Sequence, residues 1–292
     1  MFKSLCIKTN NNKILNYLLK EVENLELDSI YISKNKFKIY SNVVIHYTGD
    51  CLDVFLDTFA DILTNTIITF YEKKLLSRIL NNNYFYFLDS EKKEILRLCL
   101  ESLTDINDDS LLIEEKIYII KNSVLEYITH NKSIVLDGFI NFRLQEYLNV
   151  LDYISDLSVN RFLIEREYIE FIKLLRLYID SREPEVNLVH LIYQNATPIL
   201  LDEQKNIIYL DDNMFKAKYL SDISFSSNDY TLNTLLTLLP KKISIHLIDE
   251  EDEFINTLIL IFGDTIKICN DCDICKTYTL VGINDTCSNI PL

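Results

Sequence analysis

Cysteine residues near the end of the chain have the spacing of metal ligands. Cys269, Cys272 and Cys275 form a C-x-x-C-x-x-C run, and eleven residues separate Cys275 from Cys287. Thiolates bind zinc, which takes four ligands in a tetrahedron, and they also hold iron–sulfur clusters. The sequence therefore predicts a metal site made of these four thiols, with zinc or an iron–sulfur cluster as its cofactor.

Two further interpretations of the cysteine run stay open at this stage. A ferredoxin-type run would place another Cys-Pro pair close behind, whereas Thr277–Leu280 follows here, and Asp271 and Asp273 surround the run with negative charge. Cys272 and Cys275 alone have the C-x-x-C spacing of a redox-active dithiol. The remaining interpretation is a set of free thiols in a tight turn, which a thiol-reducing compartment tolerates.

Arginine is concentrated in the middle of the chain. Five of the seven arginines lie between residues 137 and 183, where Lys173 is the one lysine, while the rest of the chain has two arginines and twenty-one lysines. Where lysine is so strongly preferred, retained arginines indicate a need for a planar, bidentate and permanently charged group. Acidic residues in the same segment allow two functions for them: ion pairs between helices, or a pocket for an anionic ligand or an acidic segment of a protein partner.

The candidate ligand- or partner-binding residues of this segment are Asp137, Arg143, Glu146, Arg166, Glu167, Glu170 and Arg176. Arg143 and Glu146 are three residues apart and Arg166 and Glu170 are four apart, which predicts shared helix faces and local ion pairs. Asp137 directly precedes Gly138, which predicts that its carboxylate caps the start of a helix.

Glycine and histidine patterns exclude several common enzyme classes. Phosphate-binding loops need closely spaced glycines, but the chain has only four, none near another. The two glycines that flank a serine in a nucleophile elbow are absent as well. No two histidines are four residues apart, as in a helical zinc motif. His190 and His246 fall within predicted strands, and the sequence assigns them no role.

Charge and hydropathy narrow the partners and the location. The net charge is −15 and the isoelectric point is about 4.7, so the average field repels phosphate backbones and disfavours nucleic-acid partners. Apolar runs are too short to cross a bilayer, and the first residues do not resemble a signal peptide. We therefore expect a cytoplasmic protein that has no membrane span and binds a protein partner. The sequence specifies neither this partner nor the oligomeric state.

The periodicity of apolar residues predicts an α+β fold in three parts. Alternating and helical spacings predict a small N-terminal α/β unit with the order βαβββ over residues 1–50. A helical bundle is expected over 51–183. Its predicted helices are Asp53–Leu80, Ser90–Leu103, Ser110–His130 and Asp137–Ser181.

A C-terminal α/β unit is predicted over residues 184–292. A strand at Leu188–Tyr193 is followed by a predicted hairpin of Ile199–Leu201 and Ile207–Leu210. Further along, a strand around 243–247, a helix at Glu250–Phe262 and a strand at Thr265–Cys269 have the spacing of a parallel crossover. The cysteine run would then follow the last strand, at the carboxyl edge of a sheet, where ligands often bind.

Two segments of the arginine-rich region resemble a known family. Asp137–Tyr147 reads DGFINFRLQEY, and Glu165–Arg176 reads EREYIEFIKLLR. Both resemble YtxC-like proteins, in which an aspartate-glycine-phenylalanine stretch leading to phenylalanine-arginine opens a long helix. A glutamate-tyrosine-glutamate-phenylalanine run with paired leucines follows in that family. The likeness extends to Glu183, Pro184 and the strand after them, and covers most of the chain.

The resemblance implies a role connected with endospore formation, and it brings no established activity or catalytic residue to carry over. The sequence thus predicts a non-enzymatic, sporulation-associated interaction or regulatory protein that acts through the arginine-bearing helices. The alternative is a metal- or redox-dependent enzyme that uses the cysteine run.

Overall fold

The chain combines helices and two small sheets, which confirms the predicted α+β class. A computed structural model describes residues 3–25, 29–37, 40–104, 110–208, 226–248 and 250–278. Its internal contacts divide it into two compact units, Met1–Glu165 and Arg166–Leu292, called here the first and second units. The division into three parts, with boundaries near 50 and 184, stays a prediction.

The first unit contains a four-stranded sheet. Its strands are β1 (Lys3–Thr9), β2 (Ile30–Lys36), β3 (Ser41–Tyr47) and β4 (Ser133–Val135), in the spatial order β2-β3-β1-β4. β3 is antiparallel to both β1 and β2, whereas β4 lies parallel to β1. The described residues up to Gly49 give βαββ rather than βαβββ, because Ile30–Lys36 forms one continuous strand. Ile39, part of the extra predicted strand, lies outside the described residues.

The helices follow the predicted spans closely. They are α1 (Asn12–Glu23), α2 (Leu52–Asn83), α3 (Asp89–Ser102), α4 (Ser110–His130), α5 (Leu136–Arg143) and α6 (Gln145–Asp180). The long helix predicted from Asp137 is broken at Leu144, where the backbone leaves the helical region with φ −102° and ψ 41°. Leu144 is fully buried, so the core holds this break without the Gly or Pro that would have signalled it.

One hydrophobic cluster joins the first sheet to the helices around it. Leu5 and Ile7 of β1 pack in the same cluster as Phe59 of α2, Ile120 of α4 and Leu151 of α6. The alternating burial of β1 and β3 puts every second side chain into this core. The sheet and the helices are therefore stabilised by shared apolar burial.

A buried ion pair connects two helices of this core. The Lys116 ammonium lies 3.0 Å from a carboxylate oxygen of Glu72, and their side chains are 5% and 8% exposed. Tyr147 donates its hydroxyl proton to the same Glu72 oxygen over 2.9 Å, and Lys116 also donates to the backbone carbonyl of Leu103. Burial and the Glu72 charge raise the pKa of Tyr147, so this phenol stays a donor.

The second unit contains a mixed sheet. Its elements are β5 (Val186–Gln194), β6 (Thr197–Leu201), α7 (Ser227–Leu238), β7 (Pro240–Leu247), α8 (Glu253–Phe262) and β8 (Ile266–Cys269). The spatial order is β6-β5-β7-β8, and β5, β7 and β8 run parallel to one another. The predicted crossover from β7 through α8 to β8 is confirmed. Ser226, with Asp229, caps α7.

The second unit contains a hairpin that the sequence did not predict, just before the predicted one. β5 and β6 pair antiparallel around Asn195 and Ala196, whose φ angles are 50° and 54°. Two adjacent residues in the left-handed region are typical of a type I′ hairpin turn, which usually has glycine at the second position. With alanine there, the sequence signal was weak. Of the predicted hairpin, the described residues retain the bridge between Leu201 and Ile207.

Candidate metal centre

Four potential ligand atoms meet in the second unit. The side chains of His246, Cys269, Cys272 and Cys275 place their ligand atoms within 4.8 Å of one another. His246 Nδ1 lies 3.3 Å from Cys272 Sγ and 3.4 Å from Cys275 Sγ. The two sulfurs are 3.6 Å apart. The cluster therefore offers three sulfurs and one nitrogen around a single point.

The parallel crossover positions the first two of these residues. His246 is near the end of β7 and is paired in register with Cys269, the last residue of β8. Since parallel neighbouring strands end at the same edge of a sheet, the two side chains lie close together. A turn at 270–272 and a helical segment at 273–278 then bring Cys272 and Cys275 back over this edge. The Cys275 thiol donates to the carbonyl of Cys269 over 3.2 Å.

The cluster lies on the face of the second sheet that has the smaller apolar core. Ile243 and Ile245 of β7 point into a cluster of twelve buried residues. His246, the next residue, points to the other face, where Ile192, Leu201 and Ile274 are the buried members of a smaller cluster within the described residues. His246 is 2% exposed and Cys275 is 3% exposed. These two ligands are therefore buried, although few of the described apolar side chains surround them.

Three of the six separations are close to those around one tetrahedral ion, and Cys269 Sγ lies within 4.8 Å of the other three ligand atoms. Zinc with bonds of about 2.3 Å to sulfur and about 2.0–2.1 Å to nitrogen holds two sulfurs about 3.8 Å apart and a sulfur and a nitrogen about 3.6 Å apart. The observed 3.6 Å between sulfurs and 3.3–3.4 Å between sulfur and nitrogen are close to these values. An iron–sulfur cluster spreads its thiolates over several iron atoms and holds them farther apart. The geometry favours zinc over a cluster.

The protonation tendencies also suit a metal ligand set. Burial, then the neighbouring His190 and Lys205, lower the pKa of His246 to about 4, so its ring is neutral and has a free lone pair. Burial raises the pKa of Cys275 to about 11. Burial also opposes ionisation of Cys272, but hydrogen bonds from the amides of Cys275 and Ile274 lower its pKa overall. A buried thiolate at Cys275 needs a nearby cation, which a bound metal supplies.

The structure brings together three of the four predicted thiols and adds a histidine. Cys287 lies outside the described residues, and His246, to which the sequence gave no role, takes the fourth position. The signal for His246 was present in the predicted crossover: a histidine near the end of one parallel strand must meet a cysteine that ends the next. The register that pairs them was not predicted from the sequence and is seen only in the structure.

The candidate arginine-region residues in the first unit do not form one cluster. Asp137 lies in the first turn of α5 but does not cap it, since the cap position is Val135. Its carboxylate accepts a hydrogen bond from Tyr71, whose pKa rises through burial and then through this charge. Arg143 and Glu146 are both exposed and lie on different helices because of the break at Leu144. The helical spacing predicted for that pair therefore does not apply.

The remaining candidates lie on the part of α6 that belongs to the second unit. Arg166 and Glu170 approach to 4.0 Å, as their spacing predicted, and Glu167 is exposed. Arg176 donates its Nε proton to the backbone carbonyl of Leu260 on α8. A guanidinium near the carboxyl end of a helix is stabilised by the helix dipole. A partner-binding role for these side chains stays a prediction.

Comparison with known proteins confirms the resemblance seen in the sequence. The sequence pattern of the YtxC-like family matches residues 57–267. The chain belongs to the YtxC-like family. It is 21% identical over 218 residues to the uncharacterized protein YtxC of Bacillus subtilis (strain 168), a match that covers 71% of this chain and 74% of that protein.

A second match and the search of solved structures add little to this assignment. A DNA-directed RNA polymerase subunit beta of Eimeria tenella is 26% identical over 212 residues, which cover 70% of this chain but 19% of that protein. No solved structure is significantly similar. Among the described residues of this YtxC-like protein, no helix has both the length and the apolar composition to cross a membrane.

The candidate metal centre lies partly beyond the part of the chain that carries the family likeness. His190 and His246 fall within the matched residues 57–267, whereas Cys269, Cys272 and Cys275 follow its end. Membership of the YtxC-like family therefore does not by itself account for the cysteine run, and the case for a metal depends on the geometry of this chain.

Proposed function

We propose that this protein is a non-enzymatic interaction protein connected with endospore formation, and that a structural zinc ion stabilises its second unit. The observation that supports a structural ion is the ligand set: three sulfurs and one nitrogen, all from the protein, lie within 4.8 Å of one another, and four such ligands are enough for a tetrahedral site. Catalytic zinc sites keep one position for water or substrate. His246, Cys269, Cys272 and Cys275 leave no such position.

The zinc ion would attach the chain after β8 to the sheet. Residues 270–278 pack on a face whose apolar cluster, among the residues that the structure describes, has three buried members including Ile274. So few buried side chains stabilise a segment of this length weakly, because each ordered residue also loses conformational entropy. Metal binding to four side chains adds the missing stability, as it does in small zinc domains.

The thiols and the charge support a cytoplasmic setting and a protein partner. Within the described residues, the six cysteines form no disulfide, and zinc thiolates persist in a reducing compartment such as the cytoplasm. A net charge of −15 supports a protein rather than a nucleic acid as the partner. The role in endospore formation is supported by the family likeness alone.

Zinc content tests the structural role of the metal. Protein purified without chelators is expected to contain about one zinc per chain by inductively coupled plasma mass spectrometry, because the four ligands form one closed site. Cobalt substitution should give the intense visible absorption of a tetrahedral thiolate site. Folded protein with neither zinc nor iron would contradict the proposal, and several irons per chain would indicate a cluster instead.

Affinity capture tests one arginine of each unit. Arg143→Lys and Arg176→Lys keep the charge but remove the bidentate fork, so each should reduce capture of the partner from sporulating cells about tenfold if guanidinium geometry matters. The matched control is Arg97→Lys, since Arg97 lies on α3 and pairs locally with Glu94 and Glu101. Equal capture by all variants would count against a partner-binding role for Arg143 and Arg176.

A dithiol redox enzyme is the second candidate function. Cys272 directly precedes the helical segment 273–278, and its sulfur is 3.6 Å from that of the buried Cys275. In such a reaction the Cys272 thiolate attacks a disulfide of the partner and releases one thiolate. Cys275 then attacks the mixed disulfide, which leaves both partner sulfurs reduced and Cys272 joined to Cys275. Metal-free protein that loses two thiols while reducing a disulfide would favour this candidate.

A further inference from the structure

The two ring nitrogens of His246 face different surroundings. Nδ1 points to the sulfurs of Cys272 and Cys275, at 3.3 and 3.4 Å. Nε2 points away from them and lies 2.9 Å from Nδ1 of His190. A metal at the centre of the cluster would therefore bind Nδ1, and the ring proton of His246 would have to be on Nε2.

That proton needs an acceptor, because His246 is buried and an unpaired N–H there is costly. His190 Nδ1 is within hydrogen-bonding distance and can accept only if His190 has its own proton on Nε2. We infer that His190 is the positioning residue of the metal centre, whose Nδ1 accepts the Nε2 proton of His246 and so fixes the tautomer and ring orientation for binding. This inference rests on the proposed zinc site.

The sheet register places His190 where this role requires it. β5 and β7 are parallel neighbours in which Ile192 pairs with His246 and His190 pairs with Ser244. His190 therefore lies two residues before the partner of His246, on the same face of the sheet. The two ring centroids are 5.1 Å apart and the rings are tilted by 31°. With the two nitrogens 2.9 Å apart, this separation means that the rings meet edge to edge, as a hydrogen bond from an in-plane N–H requires.

A hydrogen bond of this kind changes metal affinity without touching the metal. Histidine ligands usually donate their second ring N–H to a carboxylate, carbonyl or water, and loss of that partner weakens metal binding roughly 10- to 100-fold. Here the acceptor is a second imidazole on the adjacent strand. The hairpin strand β5 thus contributes to the centre, although the ligands come from β7, β8 and the segment after β8.

Two substitutions of His190 separate an acceptor from a packing role. His190→Asn puts an amide oxygen near the position of Nδ1 and keeps the acceptor, whereas His190→Leu fills similar space without one. Competition with a chromophoric chelator should show zinc affinity reduced roughly 10- to 100-fold in His190→Leu and within about threefold of wild type in His190→Asn. The control is His46→Leu, since His46 bonds Ser4 in the first unit.

Nuclear magnetic resonance gives a readout that depends only on the wild-type protein. In protein loaded with cadmium-113, the metal should couple to Nδ1 of His246, and the proton should be found on Nε2. A proton on Nδ1 of His246, or coupling to Nε2, would overturn the inference even if His190→Leu failed to fold.

The outcomes distinguish this inference from the zinc proposal. Wild-type protein that binds no zinc and no cadmium would defeat the proposed function. Wild-type protein that binds zinc tightly, with both His190 variants binding equally well, would leave the zinc site standing and overturn the role of His190. Equal losses in His190→Asn and His190→Leu would show that ring packing matters rather than the acceptor.

Discussion

Replacing Cys272 with serine is expected to weaken zinc binding roughly 100-fold or more, because structural zinc contributes about 10–16 kcal/mol spread over four ligands. A serine hydroxyl is a poor zinc ligand, and His246 and Cys275 would lose the ion that lies between them. Amide hydrogen exchange should quicken in residues 269–278, while β5 and β7 keep their protection. Chelator competition and exchange mass spectrometry measure the two effects.

Cys51→Ser is the matched control for that substitution. Cys51 is an exposed free thiol of the first unit, so this variant should bind zinc as tightly as the wild type.

The same assay decides between His246 and Cys287 as the fourth ligand. His246→Gln should lose affinity, whereas Cys287→Ser should keep it; the opposite pattern would restore the four-cysteine site predicted from the sequence.

Lys116→Met is expected to destabilise the protein by about 3–5 kcal/mol, because removing one partner of a buried ion pair leaves the other charge unpaired. Of its partners among the described residues, Glu72 would then retain the hydrogen bond from Tyr147. The double variant Glu72→Met with Lys116→Met should recover most of the loss, since a matched apolar pair has no charge to desolvate. Urea unfolding followed by circular dichroism measures each change.

The control for this prediction lies on the same helix. Lys121 pairs with Asp57 and Asp61, its side chain is 28% exposed, and exposed pairs contribute about 0–1 kcal/mol. Lys121→Met should therefore have a small effect. If Lys116→Met lowered the free energy of unfolding no more than Lys121→Met does, Glu72 and Lys116 would not form the buried ion pair seen in the structure.

Periodicity in the sequence predicted most of the fold because most elements are long. α2, α4 and α6 repeat their apolar residues over many turns, so neighbouring contacts hardly alter the pattern. β4 was missed because three residues, Ser133–Val135, are too few to show alternation. The break at Leu144 and the turn at Asn195 and Ala196 were missed because tertiary packing, rather than glycine or proline, fixes the backbone there.

The candidate centre was predictable only in part, for a different physical reason. Three of its members are close in sequence, so their spacing alone indicated a ligand set. His246 is 26 residues from Cys272 and joins the set only through the pairing of β7 with β8. The pair of Glu72 and Lys116 was hidden in the same way, since each is an ordinary charged residue on a long helix until α2 and α4 pack together.

β8 has only four residues and forms one border of the second sheet as described, a place where sheets are prone to exchange strands with other molecules. A metal joining His246 to Cys275, 29 positions later, would close the chain into a ring that contains all of α8 and β8. Such a ring reduces the conformational entropy of the unfolded chain far more than that of the folded chain, and so favours the folded state. If the metal is removed, β8 can detach and leave the edge of β7 exposed. Domain-swapped dimers and aggregates would then form at that edge.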